Sequence, residues 1–227
     1  MPPTDYIMRL IEQFFRALAG ILLKKNKQQY TGALSEIASV YQNLLGLDSR
    51  QVRSLSYEEL IEWLKIGGRF DAEKCLILAT LLKEEAEIQE LAGRPMDDGL
   101  HAETVKAFLL LREALLSDAS LGSKTTTDGM RMLARKLDPA RLTPPQRFAL
   151  FRYHESAGDF GLAEDRLYEL IEAGYPDIRI EALAFYGRLL ARSDVELKAG
   201  NLPREEAEEG LSKIREAGEG LRLLQSE

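Results

Sequence analysis

The sequence predicts an all-α protein, and three observations support that prediction. Leucine occurs 39 times and valine four times, a bias that favours helices because β-branched side chains lose rotamer freedom there. Apolar residues recur at spacings of three and four along most of the chain. Capping residues, prolines and glycines separate these periodic segments where helices would start and stop. No segment alternates convincingly as a β-strand would.

The N-terminal half contains clear helix signals. An apolar run with helical period begins at Ile7 and predicts a long first helix. Ser56 followed by Glu59 forms a capping box, in which each side chain satisfies a backbone amide of the first turn, and Gly67-Gly68 ends the short helix that follows. In order, helices are predicted at 4–25, from 30 to about 46, after Ser56, at 71–91 and at about 101–116.

A domain boundary is predicted where the apolar period disappears. The stretch from Ser117 to Gly129 is rich in Ser, Thr, Gly and Asp. We therefore predict N-terminal helical hairpins at 1–118, a linker at 119–129 and C-terminal hairpins at 130–227. A capping threonine with proline at the first helical position marks a strong start at Thr143-Pro144. Helices of the C-terminal half are predicted at 130–137, as a hairpin over 144–173, from Asp177 to about 200, and from Pro203 onward.

The segment Gly158-Asp159-Phe160-Gly161-Leu162-Ala163, with Leu167 one turn later, predicts a tight helix-turn-helix. Glycine ends one helix, aspartate starts the next, and alanine lets the two backbones approach. This spacing resembles the second half of a tetratricopeptide unit, and it recurs around Ala33, Ala107 and Ala207 at unequal intervals. The resemblance implies an irregular array of antiparallel helix hairpins, stacked as an α-α superhelix.

Three further segments are similar to a bacterial family of unknown function described as tetratricopeptide-like. They are Asp5-Tyr6-Ile7-Met8-Arg9-Leu10-Ile11-Glu12-Gln13, Leu45-Gly46-Leu47-Asp48 and Glu73-Lys74-Cys75-Leu76-Ile77-Leu78-Ala79. Members of that family begin with a D-Y-I-M-R-x-I-E-Q-like helix. The resemblance covers roughly the first 120 residues. It implies a helical fold and a bacterial source, and it brings no catalytic residues.

The net charge and the cysteine content of the chain allow predictions about its binding partners and its cellular compartment. A net charge of −7 and the absence of a long basic block disfavour nucleic acid and anionic membranes as partners. The apolar segment 7–23 is interrupted by Arg9, Glu12 and Arg16, so it does not predict membrane insertion. The single cysteine, Cys75, lies in an apolar run and is interpreted as a core residue in a reducing compartment. We expect a cytoplasmic protein.

Catalysis is not expected from this sequence. His101 and His154 are far apart and have no Cys or His at metal-ligand spacing, so no metal and no cofactor are predicted. We interpret His154 as a packed or half-exposed residue. Glu84, Glu85, Glu87 and Glu90 are interpreted as a solvated helix face and not as an acid/base pair. No nucleotide-binding, hydrolase or zinc-protease motif is present.

The predicted function is therefore that of a non-catalytic interaction scaffold. Stacked hairpins expose a concave groove, and an acidic, partly apolar groove would favour a basic or amphipathic peptide. The tetratricopeptide frame places these residues in the groove: Lys83, Glu87, Glu90, Phe148, Arg152, Glu155 and Ser156.

Two other functions stay open: an acidic chaperone or adaptor for one client, and a structural homodimer whose groove holds its own C-terminal helix. A charged stripe on the first helix is a second candidate contact surface, for a partner or another subunit. It consists of Arg9, Glu12, Gln13 and Arg16.

Overall fold

A computed structural model describes the backbone of residues 3–224 and the side chains of residues 9–216. Within this part the chain forms twelve α-helices and only two residue pairs of β-structure, so the all-α prediction is confirmed. The helices are α1 (Pro3–Asn26), α2 (Tyr30–Val40), α3 (Ser49–Ser54), α4 (Tyr57–Trp63), α5 (Ala72–Leu91), α6 (Asp98–Ser117), α7 (Lys124–Lys136), α8 (Pro144–Ala157), α9 (Phe160–Glu172), α10 (Ile178–Leu190), α11 (Asp194–Ala199) and α12 (Arg204–Leu224).

The chain divides into two compact units, residues 1–137 and 138–227. This division lies after the segment 119–129, where we predicted a linker. That segment contains a 3-10 turn, Ala119–Leu121, and the first part of α7. Helix α7 contacts α5 and α6, and it buries Met130 and Leu133. The Ser- and Thr-rich composition thus marks a capped helix start, since Ser123 accepts a hydrogen bond from Thr126 N–H, and the helix begins earlier than the predicted Met130.

The first unit is built around the antiparallel pair α5 and α6. Near the start of α5 the Cys75 thiol donates a hydrogen bond to the Leu110 carbonyl late in α6, at 3.2 Å. Ala107 is fully buried in α6, which is consistent with the predicted use of a small residue at a crowded site. The pair α1 and α2 is linked by an ion pair of 2.8 Å between Lys24 and Glu36, and both of these helices contact α5.

Among the local features of the first unit that differ from the sequence prediction are the following two. The predicted helix from Tyr30 to Gly46 changes after Val40 into a π-helical turn, Tyr41–Leu45, before Gly46 ends it with a φ of 70°. The residues around Gly67-Gly68 form a short antiparallel β-hairpin, in which Lys65–Ile66 (β1) pairs with Arg69–Phe70 (β2). Two-residue strands are too short to give an alternating pattern, so the sequence contains no strand signal there.

The second unit begins with the predicted hairpin, α8 and α9. Gly158 ends α8 with a φ of 81°, a left-handed conformation that glycine adopts without strain. Ala163 and Leu167 are fully buried, as are Ala33 and Ala207. Asp159 occupies the N-cap position of α9 as expected, but its side chain makes no cap hydrogen bond and lies instead 3.5 Å from His154.

The predicted helix from Asp177 to about 200 is also corrected. It ends at Leu190, and a capping box, Ser193 with Glu196, starts the separate helix α11. Asp177 is the N-cap residue of α10, with a φ of 55°, and its side chain makes no cap hydrogen bond. Helix α10 packs against α12, with Tyr186 fully buried.

An apolar groove in the first unit as candidate functional site

An apolar groove of about 460 Å³ opens on the first unit. Helices α1 and α5 form its walls, and the turn before α7 together with the first part of α7 forms its rim. Its apolar lining residues are Ile11, Phe14, Phe15, Leu18, Leu22, Leu76, Ile77, Leu111 and Leu121.

Helix α1 supplies one wall because its apolar residues cover two neighbouring faces. One face packs in the core of the unit, and the other lines the groove. Leu10, Phe14, Leu18 and Ile21 are buried, at the three- and four-residue spacing of one helical face. Residues at spacings of four, three and four on a neighbouring face line the groove: Ile11, Phe15, Leu18 and Leu22. Phe15 is 57% exposed, so the described chain leaves much of this wall uncovered.

The opposite rim is polar. Ser120, Ser123, Thr125 and Thr126 line it. The Thr126 hydroxyl donates to the Leu121 carbonyl at 3.2 Å, and the Ser123 and Thr126 hydroxyls are 2.8 Å apart. The Ser123 and Thr126 hydroxyls therefore have hydrogen-bond partners within the rim and do not need a ligand to satisfy them.

A network of four charged side chains lies at one end of the groove, and two of its members, Lys83 and Glu84, line the groove. Lys25 Nζ on α1 donates to Glu84 Oε2 on α5 at 2.6 Å and lies 3.3 Å from Glu87. Lys83 also donates to Glu84 and lies 4.0 Å from Glu87. The network holds two positive and two negative charges, so it is electrically balanced. It therefore leaves no net charge for a ligand at that end of the groove.

Burial and ion pairing shift the pKa values of Glu84 and Lys25 in opposite directions. Burial by itself raises the pKa of Glu84, but the ammonium groups of Lys83 and Lys25 outweigh it and hold that pKa below its ordinary value. Burial lowers the pKa of Lys25. Its carboxylate partners Glu84 and Glu87 together raise that pKa by more than burial lowers it, so the net shift is upward. Glu84 and Lys25 are therefore both charged at neutral pH.

The interpretation of Glu84, Glu85, Glu87 and Glu90 as a solvated face is therefore wrong for the first two. Glu84 and Glu85 are buried. Their cationic partners are Lys25 on α1, Arg53 on α3 and Lys83 on the same helix. A helical wheel of α5 alone cannot predict the pairs with Lys25 and Arg53. Glu87 is half-buried beside the two lysines, and Glu90 is exposed and accepts a hydrogen bond from Lys136 on α7.

A different acidic residue lines the groove without forming an ion pair among the described residues. Glu73, in the first turn of α5, is half-buried and has no ion-pair or hydrogen-bond partner for its side chain among the described residues. The electrostatic preference of the groove therefore comes from Glu73, because the charges at the other end balance.

Of the residues that the sequence placed in a groove on the first unit, Lys83 lines this one. Glu87 contributes only through the ion network, and Glu90 lies outside it. The missed residues are those on α1. The breadth of the apolar arc on this helix was the signal available in the sequence.

The candidate residues on the second unit lie on α8 and contact other residues of that unit. Phe148 stacks on Tyr175 with ring centroids 5.4 Å apart. Arg152 binds Glu155 at 2.9 Å and Glu181 at 2.8 Å, and Arg188 binds the same two carboxylates. These charges thus join α8 to α10.

The remaining predicted residues are on the surface. The Ser156 hydroxyl donates to the Tyr153 carbonyl at 2.8 Å. The stripe on α1 is exposed as expected, and its Glu12 and Arg16 lie 3.7 Å apart in a well-hydrated pair that contributes little stability. A role for either set in binding stays a prediction.

His154, by contrast, is buried. Burial lowers its pKa, against the opposing effect of the nearby Asp159 carboxylate. No cluster of three potential metal-ligating side chains occurs within the described residues. In the same part of the chain, no helix combines the length and the apolar character that a bilayer span requires.

Comparisons with known proteins identify the family but no characterised relative. No curated protein matches the chain, and no solved structure matches it. A family-sequence model matches residues 1–219, well beyond the first 120 residues that carried the resemblance seen in the sequence. The chain belongs to a family of unknown function, DUF6483.

Proposed function

We propose that the first unit binds an amphipathic helical segment of a partner protein in the apolar groove, and that the protein works as an interaction scaffold. The observation that carries this proposal is the exposed groove wall on α1, centred on Phe15. Contiguous exposed apolar surface costs free energy in water, and covering it by a partner recovers that free energy.

The dimensions of the groove suit a short helix. The α1 wall runs from Ile11 to Leu22, a rise of roughly 16 Å at 1.5 Å per residue. An occupant of about three helical turns would match that length and place apolar side chains at i, i+3 or i+4, and i+7 against it.

The charge of the groove restricts the occupant further. Among the charged lining residues, Glu73 forms no ion pair with the described residues, whereas Lys83 and Glu84 neutralise each other. A lysine or arginine at the edge of the apolar face of the occupant would pair with Glu73. The proposed partner segment is therefore both amphipathic and basic, which agrees with the net charge of −7 on the whole chain.

The test uses a display library of short amphipathic helical peptides with randomised flanking charges, selected on the full chain. We expect selected peptides to share the apolar spacing and to carry a basic residue. Phe15→Ser should weaken their binding about tenfold or more, a loss of about 1.4 kcal/mol. Leu23→Ser is the matched control, because Leu23 is 55% exposed on the same helix but does not line the groove.

Two outcomes would contradict the proposal. One is selection of peptides without an apolar repeat. The other is equal binding by the Phe15→Ser and Leu23→Ser variants. A concentration-dependent dimer that Phe15→Ser abolishes, measured by sedimentation, would replace the peptide with a second copy of this chain as the occupant. Glu73→Gln should weaken basic peptides selectively, which separates the charge preference from apolar binding.

A further inference from the structure

A second cleft in the first unit has a different chemical character. It has a volume of about 590 Å³ and shares no lining residue with the apolar groove. Six of its seven lining residues are polar or charged: Ser49, Arg53, Glu85, Gln89, Arg94 and Glu103. Helices α3, α5 and α6 and the loop before α6 supply them.

A buried carboxylate fixes the central cation of this cleft. Arg53 Nη1 donates to Glu85 Oε1 at 2.5 Å, and the Tyr41 hydroxyl donates to Glu85 Oε2 at 3.0 Å. Tyr41 lies in the π-helical turn, and such turns are frequent at functional sites. Both oxygens of Glu85 are therefore occupied, and this buried side chain orients Arg53 without being available to a ligand.

The backbone that carries Arg53 is also held in place. Lys106 Nζ on α6 donates to the carbonyls of Val52, at 3.2 Å, and of Arg53, at 3.0 Å, and also to that of Leu55. The C-terminal end of α3 is thereby tied to α6. A cation with fixed backbone and fixed side-chain geometry loses little entropy when it binds an anion.

The unused hydrogen-bonding capacity of the cleft consists mainly of donors. Arg53 uses one of its five N–H groups, and its Nε and Nη2 groups have no acceptor among the described residues. The Gln89 amide accepts from Arg94, but its NH₂ group and the Ser49 hydroxyl have no partner within that part of the chain. Free donors on a guanidinium match the two oxygens of a carboxylate.

The balanced charges of the cleft lining favour a ligand with a single negative charge. Arg53 and Arg94 are offset by Glu85 and Glu103, so the lining has no net formal charge. A polyphosphate would bring several negative charges to a lining that has no positive charge in excess of its two carboxylates. We infer that this cleft binds a small organic monocarboxylate, which Arg53 holds through its free N–H groups with the Gln89 amide and the Ser49 hydroxyl as further donors.

The experiment titrates the ¹⁵N-labelled full chain with sodium butyrate, butyramide and inorganic phosphate, and follows the Arg53 Nε–H and Gln89 side-chain NMR signals. Butyrate should shift both signals saturably, and butyramide, which has the same shape without the charge, should not. Equal shifts by the two compounds, or none by either, would overturn the inference. Tighter binding of phosphate than of butyrate would overturn the carboxylate assignment.

Variants separate binding from folding. Arg53→Gln should weaken butyrate binding about tenfold or more, because a charge-assisted bidentate contact is lost. Arg53→Lys keeps a positive charge beside Glu85 but lacks the fork, so it should fold normally and still bind more weakly than the wild type. Arg50→Gln is the control, because Arg50 is an exposed residue of α3 outside the cleft. Wild-type affinity in the folded Arg53→Lys and Arg53→Gln variants would refute the role of Arg53.

Discussion

The ring of Tyr186 on α10 occupies the space that a side chain at Gly210 on α12 would need. A Cβ atom added to Gly210 would lie 2.6 Å from Cε1 of that ring and closer still to the hydroxyl end. The ring is fully buried, and its hydroxyl donates to Glu164 Oε1 at 2.6 Å. The absence of a side chain at Gly210 therefore sets how closely α10 and α12 approach.

Gly210→Ala should destabilise the second unit even though alanine is the better helix former. The gain in helix propensity is about 0.5 to 1 kcal/mol, and overpacking against a buried ring costs about 1 to 3 kcal/mol. Gly187→Ala on α10 is the matched control, because an added Cβ there meets nothing within 4 Å. Thermal unfolding followed by circular dichroism should show a lower Tm for Gly210→Ala and a higher Tm for Gly187→Ala. A stabilising Gly210→Ala would show that the two helices are not in close contact.

Glu84→Gln should destabilise the first unit at neutral pH by about 3 kcal/mol, because it leaves the partly buried ammonium groups of Lys25 and Lys83 without a full counter-charge. The pKa of Glu84 is lowered in the folded protein, despite burial, by Lys83 and Lys25. Its stabilising effect is therefore complete above the ordinary value of 4.5 and is lost as the pH falls through the lower folded-state pKa. The difference in the free energy of unfolding between wild type and Glu84→Gln should therefore decrease as the pH falls through that range.

The measurement is urea unfolding followed by the fluorescence of Trp63, the single tryptophan, which lies in the first unit. Glu90→Gln on the same helix is the control, because Glu90 forms a partly exposed pair with Lys136 and its loss should cost less than about 1 kcal/mol. A destabilisation that is equal for the two variants, or that does not change with pH, would contradict the assigned role of the buried network.

Cys75 should resist alkylation in the folded protein at mildly alkaline pH. Burial raises the pKa of its thiol to about 12, so the reactive thiolate is scarce as well as inaccessible. Because it is the single cysteine of the chain, its labelling by iodoacetamide reports opening of the first unit alone. The rate should rise with urea in parallel with the Trp63 transition. Rapid labelling without denaturant would show that the packing of α5 on α6 is looser than described.

Helix existence and helix starts were the most predictable features of this protein, because the residues that decide them are close in sequence. The capping boxes at Ser56 and Thr143 and the caps at Asp71 and Gly158 operate over three or four residues. The first helix was predicted at 4–25 and is observed at 3–26. Errors occurred where a local signal had two interpretations. The Ser- and Thr-rich segment before α7, predicted as a linker, contains a helix start.

The candidate sites were much less predictable, since their defining contacts join residues far apart in the chain. Lys25 and Glu84 are 59 positions apart, and Arg53 and Glu85 are 32 apart. A glutamate on a helix looks the same in sequence whether its neighbour in space is water or a lysine from another helix. The interpretation of Glu84 and Glu85 as solvated was therefore wrong, whereas the burial of Ala163 could be predicted from its hairpin.

The sequence by itself determined that the chain is helical, where most helices begin, and that small residues are buried at 33, 107, 163 and 207, because these properties follow from short-range periodicity and steric fit. The tertiary structure alone decided which apolar face of α1 stays open and which carboxylates are buried beside cations. Those outcomes depend on how helices distant in sequence pack, and the free energies involved arise from desolvation and pairing that exist only after they have packed.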